Sequence, residues 1–538
     1  MRAVAVVLLA AVVGYLPVAF ALRRPPPLMG DEAYYARVPV EMRQRGDWLV
    51  PYFNGEPRYK KPPLLYWCVA ASYALLGESE AAARLPSLLA IWATAALLIW
   101  FGRCVGDALT GWLAATAFLL NPMTVLLGNW GAPEATLTFF VTASTLVLWH
   151  GALVSGTKTQ RGVALWWLSG ALAGLGTLTK GAPGLALPLL GVGLLVAARW
   201  RRLPAAIGWL LSCAFVATPW FVAVGLREGQ AFWQVFLWRE HVQRVAAPME
   251  GHHGPLWFYL PVLILALFPW SVRLPAALWH AVKGTSFARA VSLAPPSIDG
   301  LMAWWALAVI ALFSIAATKL PHYIFPALPA CAWLLAKQWQ RPATRGEWAM
   351  AVLIGLTTGV TLLHLLVNQL PDALMAFLRR YDFALSADEF DAALRALTPS
   401  AFAFAATGIA AALLVSITRW RWNAVTAVTA PSLMAVNAAA LTLTVLLSGW
   451  AALHWTGGDR AAQAWRSARH AATFGSDTEW AVFYARRMVP MLRDEKALHR
   501  FVQTQRGDAA ILARVDFAPA LRQAGLHLTR FGIWVVGR

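Results

Sequence analysis

Long apolar runs alternate with short charged segments along almost the whole chain. Runs of roughly 18 or more apolar residues are typical of transmembrane helices. The pattern predicts thirteen spans, at residues 3–22, 82–102, 109–127, 134–153, 163–179, 184–199, 203–225, 255–275, 301–317, 321–337, 348–370, 397–417 and 430–452. The first run is longer than the apolar core of a signal peptide and is predicted to stay uncleaved. The fold class is therefore an all-α polytopic membrane protein.

The loops between these spans separate by charge into two alternating sets. Loops of the first set are short, basic and nearly free of acids, and contain Arg103, Lys158, Arg161, Arg199, Arg201, Arg202, Lys283, Arg289, Lys337, Arg341, Arg345, Arg419 and Arg421. Lys and Arg accumulate in cytoplasmic loops, so this set is predicted to face the cytoplasm. The other set, with the first outer loop at 23–81 and the tail from 453, then faces outward.

The chain is predicted to have two parts. Residues 1–452 form a membrane domain that includes the first outer loop, and residues 453–538 form a small outer α/β domain. In this tail, "AVFYA" and "GIWVVGR" resemble strands, and "GDRAAQAWRSARHAATF" resembles a helix.

Composition supports the membrane class. Of the 538 residues, 59% are hydrophobic and only 13% are charged, whereas soluble domains carry about 25% charged residues. The net charge of +19 could indicate nucleic-acid binding, but the bases lie in short loops, where they set topology and contact anionic lipid head groups. Membrane lipids, and no nucleic acid, are the predicted partners. The four cysteines have neither a disulfide pattern nor metal-ligand spacing.

Acids and aromatic residues concentrate where the first outer loop begins. Asp31 and Glu32 stand at the start of a predicted helix and are followed by Tyr35 and Arg37. An acid at a helix start is often only a cap or a partner of the helix dipole. The alternative is that Asp31 and Glu32 are catalytic, with Tyr35 and Arg37 lining a substrate pocket.

A basic cluster ends the same loop. Arg58, Lys60 and Lys61 precede Pro62 and Pro63, and Tyr59 among them is a candidate residue of the substrate pocket. The lysines could simply reach the membrane interface, or they could bind a lipid phosphate, for which Lys is a compact cation. The apolar stretch 62–77 is short for a span and is predicted to lie in the interface as a helix.

Further candidates stand in other outward turns. Lys180, Lys319, His322 and Tyr323 lie in tight turns between spans, and Glu134 opens a span. Two lysines in two such turns fit an anion site at the mouth of a helical bundle, although each could merely mark the water boundary.

The loop predicted at 226–254 supplies the last candidates. Its Arg239 and Arg244 could bind a second phosphate. His252 and His253 are a weak metal signal, because adjacent histidines usually point apart, and a structural role is favoured.

The outer-loop residues resemble the first outer loop of bacterial aminoarabinose transferases, which are lipid A-modifying glycosyltransferases of the GT-C class related to protein O-mannosyltransferases. The residues that carry the resemblance are Asp31-Glu32, Tyr35-Ala36, Glu41-Met42, Gly46-Asp47-Trp48, Val50-Pro51, Arg58-Tyr59, Lys61-Pro62 and Tyr66-Trp67. "KLPHYIFPALP" and "GHHGPLWFYLPVL" resemble two further motifs of that family.

The resemblance implies thirteen spans, two interfacial helices in the first outer loop and a periplasmic C-terminal domain, in the bacterial inner membrane. It implies transfer of 4-amino-4-deoxy-L-arabinose from undecaprenyl phosphate to lipid A phosphate, which changes lipopolysaccharide charge and polymyxin resistance. Asp31 would be the catalytic aspartate, Lys61 the lipid-phosphate lysine and Tyr323 the tyrosine of the second motif. Many relatives have an acid where this chain has Lys60, which leaves open which lysine binds the phosphate.

Leaving-group stabilisation is expected from Lys61 with Lys180 or Arg244, so no cofactor is required and no metal is predicted. Two alternatives remain open at this point. One is an enzyme like a protein O-mannosyltransferase, with a Ser or Thr acceptor. The other is a lipid flippase or transporter, although ionisable residues at mid-membrane and paired half-repeats are not evident.

Overall fold

The structure is a computed structural model and describes residues 28, 31–154, 159–198, 202–249, 252–267, 270–283, 297–341, 458–475, 478–505, 509–531 and 534–538. The spans predicted at 3–22, 348–370, 397–417 and 430–452 lie outside the described residues. The predicted total of thirteen spans therefore stays a prediction.

The first outer loop is folded into two helices joined by a small hairpin. Its elements are α1 (Glu32–Arg45), β1 (Tyr52–Phe53), β2 (Glu56–Pro57) and α2 (Leu64–Leu76). The hairpin turn requires positive φ at both central residues, which Asn54 and Gly55 supply at 54° and 88°. The stretch predicted as an interfacial helix, 62–77, is helical.

Twelve further α-helices belong to the described part of the membrane region. They are α3 (Glu80–Cys104), α4 (Ala108–Leu119), α5 (Pro122–Gly128), α6 (Pro133–Trp149), α7 (Gln160–Lys180), α8 (Ala182–Ala198), α9 (Leu203–Trp233), α10 (Arg244–Ala246), α11 (Tyr259–Ala266), α12 (Leu274–Lys283), α13 (Ile298–Ile315) and α14 (Leu328–Trp339). Side-chain caps start several of them: Ser79, Thr159 and Ser297 each accept a hydrogen bond from a backbone N–H in the first turn.

Five helices in the described residues are long and apolar enough to cross a membrane, and the bent pair α4–α5 would make six. The five begin at Glu80, Pro133, Gln160, Leu203 and Ile298. They match the spans predicted at 82–102, 134–153, 163–179, 203–225 and 301–317. The chain is thus a membrane protein built mainly of helices.

Three predicted spans are interrupted. The 109–127 span bends by 67° between α4 and α5, where Asn121 caps α5 and Pro122 opens it. The 255–275 and 321–337 spans each begin with a 3₁₀ turn, at Leu256–Phe258 and Pro321–Ala327. Prolines lack the N–H that a continuous helix needs, so hydrophobicity alone predicted more helix than the backbone forms.

The prediction of a loop at 226–254 is largely wrong. Helix α9 kinks at Gly229, where φ is 61°, and the chain continues as a π-helix at Gln234–Gln243 and then as α10. The polar composition of this segment suggested a loop, but π-helical segments are frequent at functional sites. The acid and bases of this stretch therefore sit on a helical surface.

The C-terminal residues form a five-stranded sheet with helices around it. The helices are α15 (Gly458–Arg466), α16 (Trp480–Ala485), α17 (Glu495–Thr504) and α18 (Ala518–Gln523), and the strands are β3 (His470–Phe474), β4 (Met491–Leu492), β5 (Ala509–Arg514), β6 (Leu528–Phe531) and β7 (Trp534–Gly537). The order is β4-β3-β5-β7-β6, with β3 parallel to β4 and β5.

"GIWVVGR" contains a strand, as predicted. The prediction of a strand at "AVFYA" was wrong, because this segment lies in α16. The prediction of a helix over all of "GDRAAQAWRSARHAATF" was wrong at its end, which forms β3. Both errors concern segments of five or six residues, where packing against the sheet overrides local propensity.

This sheet unit is packed against the first outer loop. The Asn54 side chain donates to the Val489 carbonyl at 2.8 Å and accepts from the Val489 N–H at 2.9 Å. Tyr484 donates to Glu80 at 3.0 Å and accepts from the Leu28 N–H at 2.9 Å. The first outer loop is therefore held between the membrane helices and the C-terminal sheet.

Candidate functional site

Residues from four helix ends meet in one polar network beside the first outer loop. The first part of the network is centred on Glu134 in the first turn of α6. Its Oε1 lies 2.7 Å from Lys180 Nζ and 3.4 Å from His322 Nε2. Lys180 Nζ also lies 5.0 Å from the centre of the Tyr323 ring, which is within the range of a cation–π contact.

The second part of the network joins α10 to the outer loop. Arg244 Nη1 donates to the Tyr323 hydroxyl at 3.4 Å, and Arg244 Nε donates to Glu240 Oε2 at 3.3 Å. Lys61 Nζ donates to the same Glu240 oxygen at 3.0 Å. Lys61, Lys180, Arg244, Glu134, His322 and Tyr323 were all predicted site residues, and the structure brings these six together.

The network carries an excess of positive charge in a mostly buried place. Three cations, Lys61, Lys180 and Arg244, face two carboxylates, Glu134 and Glu240. Burial lowers the pKa of Lys61, and Lys180 and Arg244 add to this effect while Glu240 opposes it. An anion entering the network would relieve the repulsion among the three cations, so the arrangement suits a phosphate.

Asp31 lies at the start of α1 with an exposed side chain. Its carboxylate does not cap the helix and makes no hydrogen bond to another residue that the structure describes. Its charge acts on Arg58 and His322, which places it beside the network. The simple capping role is therefore not supported, and the carboxylate is available to a ligand.

Glu32 has a different environment. It is buried, its two oxygens accept from Arg84 Nε and Nη2 at 2.7 Å each, and Oε1 also accepts from the Gly131 N–H at 2.8 Å. This bidentate pair fixes α1 against α3. The geometry favours an anchoring role for Glu32 over the predicted catalytic one.

Arg37 also anchors rather than lines a pocket. Its Nε donates to Glu41 at 2.9 Å inside α1, and Glu41 accepts from the backbone N–H groups of Asn54 and Gly55 at 2.8 and 3.0 Å. Glu41 therefore ties the hairpin to α1, and Arg37 balances the charge of Glu41. Both side chains of this ion pair are buried.

Aromatic residues of the outer loop form a packed group around Arg58. Tyr35 stacks on Tyr66 with ring centres 5.8 Å apart, and the Arg58 guanidinium lies 3.6 Å from the centre of the Tyr34 ring. Burial raises the pKa of Tyr35, so its hydroxyl stays protonated. Tyr59 lies apart from this group and donates to Glu228 on α9 at 2.5 Å.

Lys319 does not point into the network. Its Nζ donates to the carbonyl oxygens of Ser314 and Ala316 at 2.9 and 2.5 Å. These are orphan carbonyls at the end of α13, which a lysine can satisfy. Lys319 was predicted to be part of an anion site and substrate pocket, and the structure shows it as a helix cap instead.

The two lysines before α2 also differ. Lys61 Nζ donates a hydrogen bond to Glu240, and the charge of Lys60 has a weaker effect on Glu240. His252 uses its backbone in a bridge to Met249 and accepts the Lys319 N–H at its carbonyl. Among the described residues, no group of three or more His, Cys, Asp or Glu could hold a metal, and His253 stays a weak candidate.

Sequence reasoning missed Glu240 and His241. His241 Nε2 accepts the Ala182 N–H at 3.1 Å, and its Nδ1 lies 2.6 Å from the Phe236 carbonyl. A Cβ on Gly181 would lie 2.4 Å from His241 Nε2. The turn that carries Lys180 is thus packed directly on the π-helix. The four-residue spacing of Glu240 and Arg244 was the available signal, but it is meaningful only on a helix.

Comparisons with known proteins agree with the motif resemblance. The family model described as dolichyl-phosphate-mannose-protein mannosyltransferase matches residues 60–224. Proteins named undecaprenyl phosphate-alpha-4-amino-4-deoxy-L-arabinose arabinosyl transferase match from Edwardsiella ictaluri (31% identity, 61% of this chain and 59% of that one) and Pseudomonas aeruginosa (34%, 57% and 54%). The chain thus spans little more than half the length of these relatives.

Solved structures extend the similarity to the fold. The structure of ArnT from Cupriavidus metallidurans bound to undecaprenyl phosphate matches with a TM-score of 0.77 at 23% identity, over 99% of this chain and 97% of that one. The same protein in the apo state matches with a TM-score of 0.76 at 22% identity, over 98% and 97%. The resemblance found in the sequence is confirmed, and the two proteins share a fold.

Proposed function

We propose that this protein is an inner-membrane glycosyltransferase that moves 4-amino-4-deoxy-L-arabinose from undecaprenyl phosphate to a phosphate of lipid A. The observation that carries the proposal is the network of Lys61, Lys180 and Arg244, assembled from distant parts of the chain at the ends of membrane helices. The curated relatives carry this activity in their names, and the ArnT structure of the same fold holds undecaprenyl phosphate.

The cations act on the leaving group. As the bond between the sugar and the phosphate breaks, the electron pair stays on the phosphate oxygen and its negative charge grows. Preorganised cations aimed at that growing charge stabilise the transition state more than the ground state. Lys61 and Arg244 are the direct contacts in this proposal, and Lys180 is held close by Glu134.

Asp31 acts on the acceptor side. A phosphate monoester has a second pKa near 6, so at neutral pH its attacking oxygen is mostly ionised and needs no general base. Asp31 then orients the acceptor or stabilises the positive charge that develops on the sugar. Glu32 and Arg37 hold α1 in the position that brings Asp31 to the site.

The proposal requires no cofactor. The fixed cations perform the electrostatic role that a metal ion has in many phosphate-handling enzymes, and a lipid-linked donor needs no nucleotide. The proposal assigns no role to a divalent metal, and His252 and His253 stay weak candidates for one.

The site is proposed to face the periplasm. The basic loops are assigned to the cytoplasm, and the residues of the network belong to the opposite set of turns. There the protein would meet both the lipid-linked donor and lipid A. Modification of lipid A would lower its negative charge and reduce binding of polymyxin.

The match to the mannosyltransferase model supports a second candidate, which uses a polyprenyl-phosphate sugar and a Ser or Thr acceptor. Mass spectrometry of lipid A from cells with and without the protein separates the two. A gain of one pentosamine supports the lipid A acceptor. Unchanged lipid A together with glycosylated secreted proteins supports the second candidate, and translocation of a lipid without any new glycoside supports a flippase.

A further inference from the structure

Glu240 is the point where two phosphate-binding candidates meet. It lies in the π-helical segment Gln234–Gln243, and its side chain is 1% exposed. One of its oxygens, Oε2, receives hydrogen bonds from Lys61 Nζ at 3.0 Å and from Arg244 Nε at 3.3 Å. A single anionic oxygen therefore occupies both cations, as an oxygen of a phosphate would.

The other oxygen of Glu240 has no such support. Oε1 is buried and accepts no hydrogen bond from the residues that the structure describes. A buried charge without hydrogen bonds is costly, and removing a partner from a buried ion pair is strongly destabilising. The Glu240 charge therefore depends mainly on Lys61 and Arg244, with a smaller contribution from Lys60.

We infer that Glu240 is a positioning residue that competes with the lipid phosphate for Lys61 and Arg244, and that this competition drives release of the product. The inference rests on the proposed function. Transfer breaks the bond between the sugar carbon and the phosphate oxygen, and the acceptor oxygen forms the new bond to that carbon. The donor phosphodiester, with one negative charge, thereby becomes a lipid phosphate monoester with about 1.5 to 2 negative charges at pH 7.

The three cations bind this product more tightly than they bind the donor. Without an opposing charge, the enzyme would retain the spent lipid and turn over slowly. Glu240 weakens product binding, because Lys61 and Arg244 must give up their hydrogen bonds to Glu240 when they bind the phosphate. The buried Glu240 carboxylate is then less stabilised. When the product leaves, both cations return to Oε2.

The Glu240→Gln variant tests the inference, because it keeps the shape of the side chain and removes its charge. We expect undecaprenyl phosphate to bind the purified full-length variant at least about tenfold more tightly than it binds wild type. The same variant should show stronger product inhibition, a lower KM for the donor and a lower kcat. Damage to the site alone would weaken phosphate binding instead.

Two further variants serve as controls. Glu240→Asp keeps the charge and should bring undecaprenyl phosphate binding back towards the wild-type value. Glu228→Gln removes a carboxylate at the end of α9, which pairs with Tyr59 and Arg227 outside the network, and should leave product binding unchanged. Thermal unfolding in detergent verifies that each protein is folded.

Weaker or unchanged binding of undecaprenyl phosphate by folded Glu240→Gln would overturn the inference. If wild type transfers aminoarabinose in the same assay, the proposed function stands even then. If wild type binds undecaprenyl phosphate but transfers no sugar, the proposed function fails, and the binding comparison still decides whether Glu240 competes with phosphate. If Glu240→Gln does not fold, tighter product binding must appear in Glu240→Ala, and its absence there would contradict the inference.

Discussion

Two neighbouring acids, Asp31 and Glu32, have opposite environments although the sequence presents them as a pair. Glu32 is buried with both oxygens bonded to Arg84, whereas Asp31 is exposed beside the cation network. Because a carboxylate that is already satisfied by a bidentate arginine has little capacity for a ligand, the two residues should respond differently to substitution.

Asp31→Asn removes a charge and keeps the size and polarity of the side chain. We expect transfer activity to fall by about two orders of magnitude or more, because a single group that stabilises charge or orients a substrate in the transition state changes the rate on that scale. Thermal stability should stay near wild type, since Asp31 makes no cap. Near-normal lipid A modification by a well-expressed variant would rule out this role.

Glu32→Gln serves as the matched comparison. It breaks a buried ion pair, so it should lower the unfolding temperature measurably, at a cost of about 3–5 kcal/mol. A loss of activity without any loss of stability would instead support the predicted catalytic role of Glu32.

Lys61 and Lys60 form a second pair that the structure separates. Lys61→Ala should reduce kcat and raise the KM for the donor, because it removes a group that binds phosphate in both the ground and the transition state. Lys60→Ala should have a smaller effect, since Lys61 bonds directly to Glu240 and the charge of Lys60 acts on Glu240 more weakly. Steady-state kinetics with the lipid-linked donor decide the order, and the reverse order would exchange the roles of the two lysines.

At the scale of elements, the π-helix and the turn between α7 and α8 position the site together. Gly181 has a φ of 78°, a conformation that glycine adopts at little cost. Its Cα faces the ring of His241, which in turn accepts the Ala182 N–H. Packing of this turn against the π-helix therefore fixes the position of Lys180.

Gly181→Ala should disturb that contact. The added methyl would overlap His241 and also strain the backbone, so Lys180 should move and transfer activity should fall by at least about tenfold, at a stability cost of about 1–3 kcal/mol. Gly193→Ala is the control, because nothing lies within 4 Å of a Cβ there. Equal activity of the two variants would show that the turn does not position the lysine.

Much of this arrangement could be predicted from sequence, because long apolar helices and the motif residues at their ends are strong local signals. Lys61, Lys180 and Tyr323 were found in this way. Glu240 was missed because the polar composition of its segment predicted a loop, whereas the backbone forms a π-helix. Lys319 was misplaced because its turn looks like that of Lys180, and only the three-dimensional path shows that Nζ returns to the end of α13.

At the scale of the whole molecule, the outer loop is held between the membrane helices and the C-terminal sheet. Asn54 contacts Val489 and Tyr484 contacts Glu80, so the sheet and the loop must lie on the same side of the membrane. The network lies beside this loop, which makes the orientation of the chain part of the proposed function.

Single cysteines test that orientation in a protein whose four native cysteines are replaced by serine. The exposed positions Glu56 and Arg493 should react with a membrane-impermeant thiol reagent on intact spheroplasts, and Gln160 should react only after the cells are opened. Labelling of Gln160 alone in intact spheroplasts would invert the topology and place the site beside cytoplasmic nucleotide sugars.

Transfer by the purified protein in liposomes measures the proposed reaction itself. Purified protein in liposomes is mixed with undecaprenyl phosphate-linked aminoarabinose and lipid A, without added metal or nucleotide, and lipid A is analysed by mass spectrometry. We expect wild type to add the mass of one pentosamine and to release undecaprenyl phosphate, and Lys61→Ala to do so far more slowly. Lipid A of unchanged mass after incubation with folded wild-type protein would contradict the proposed function.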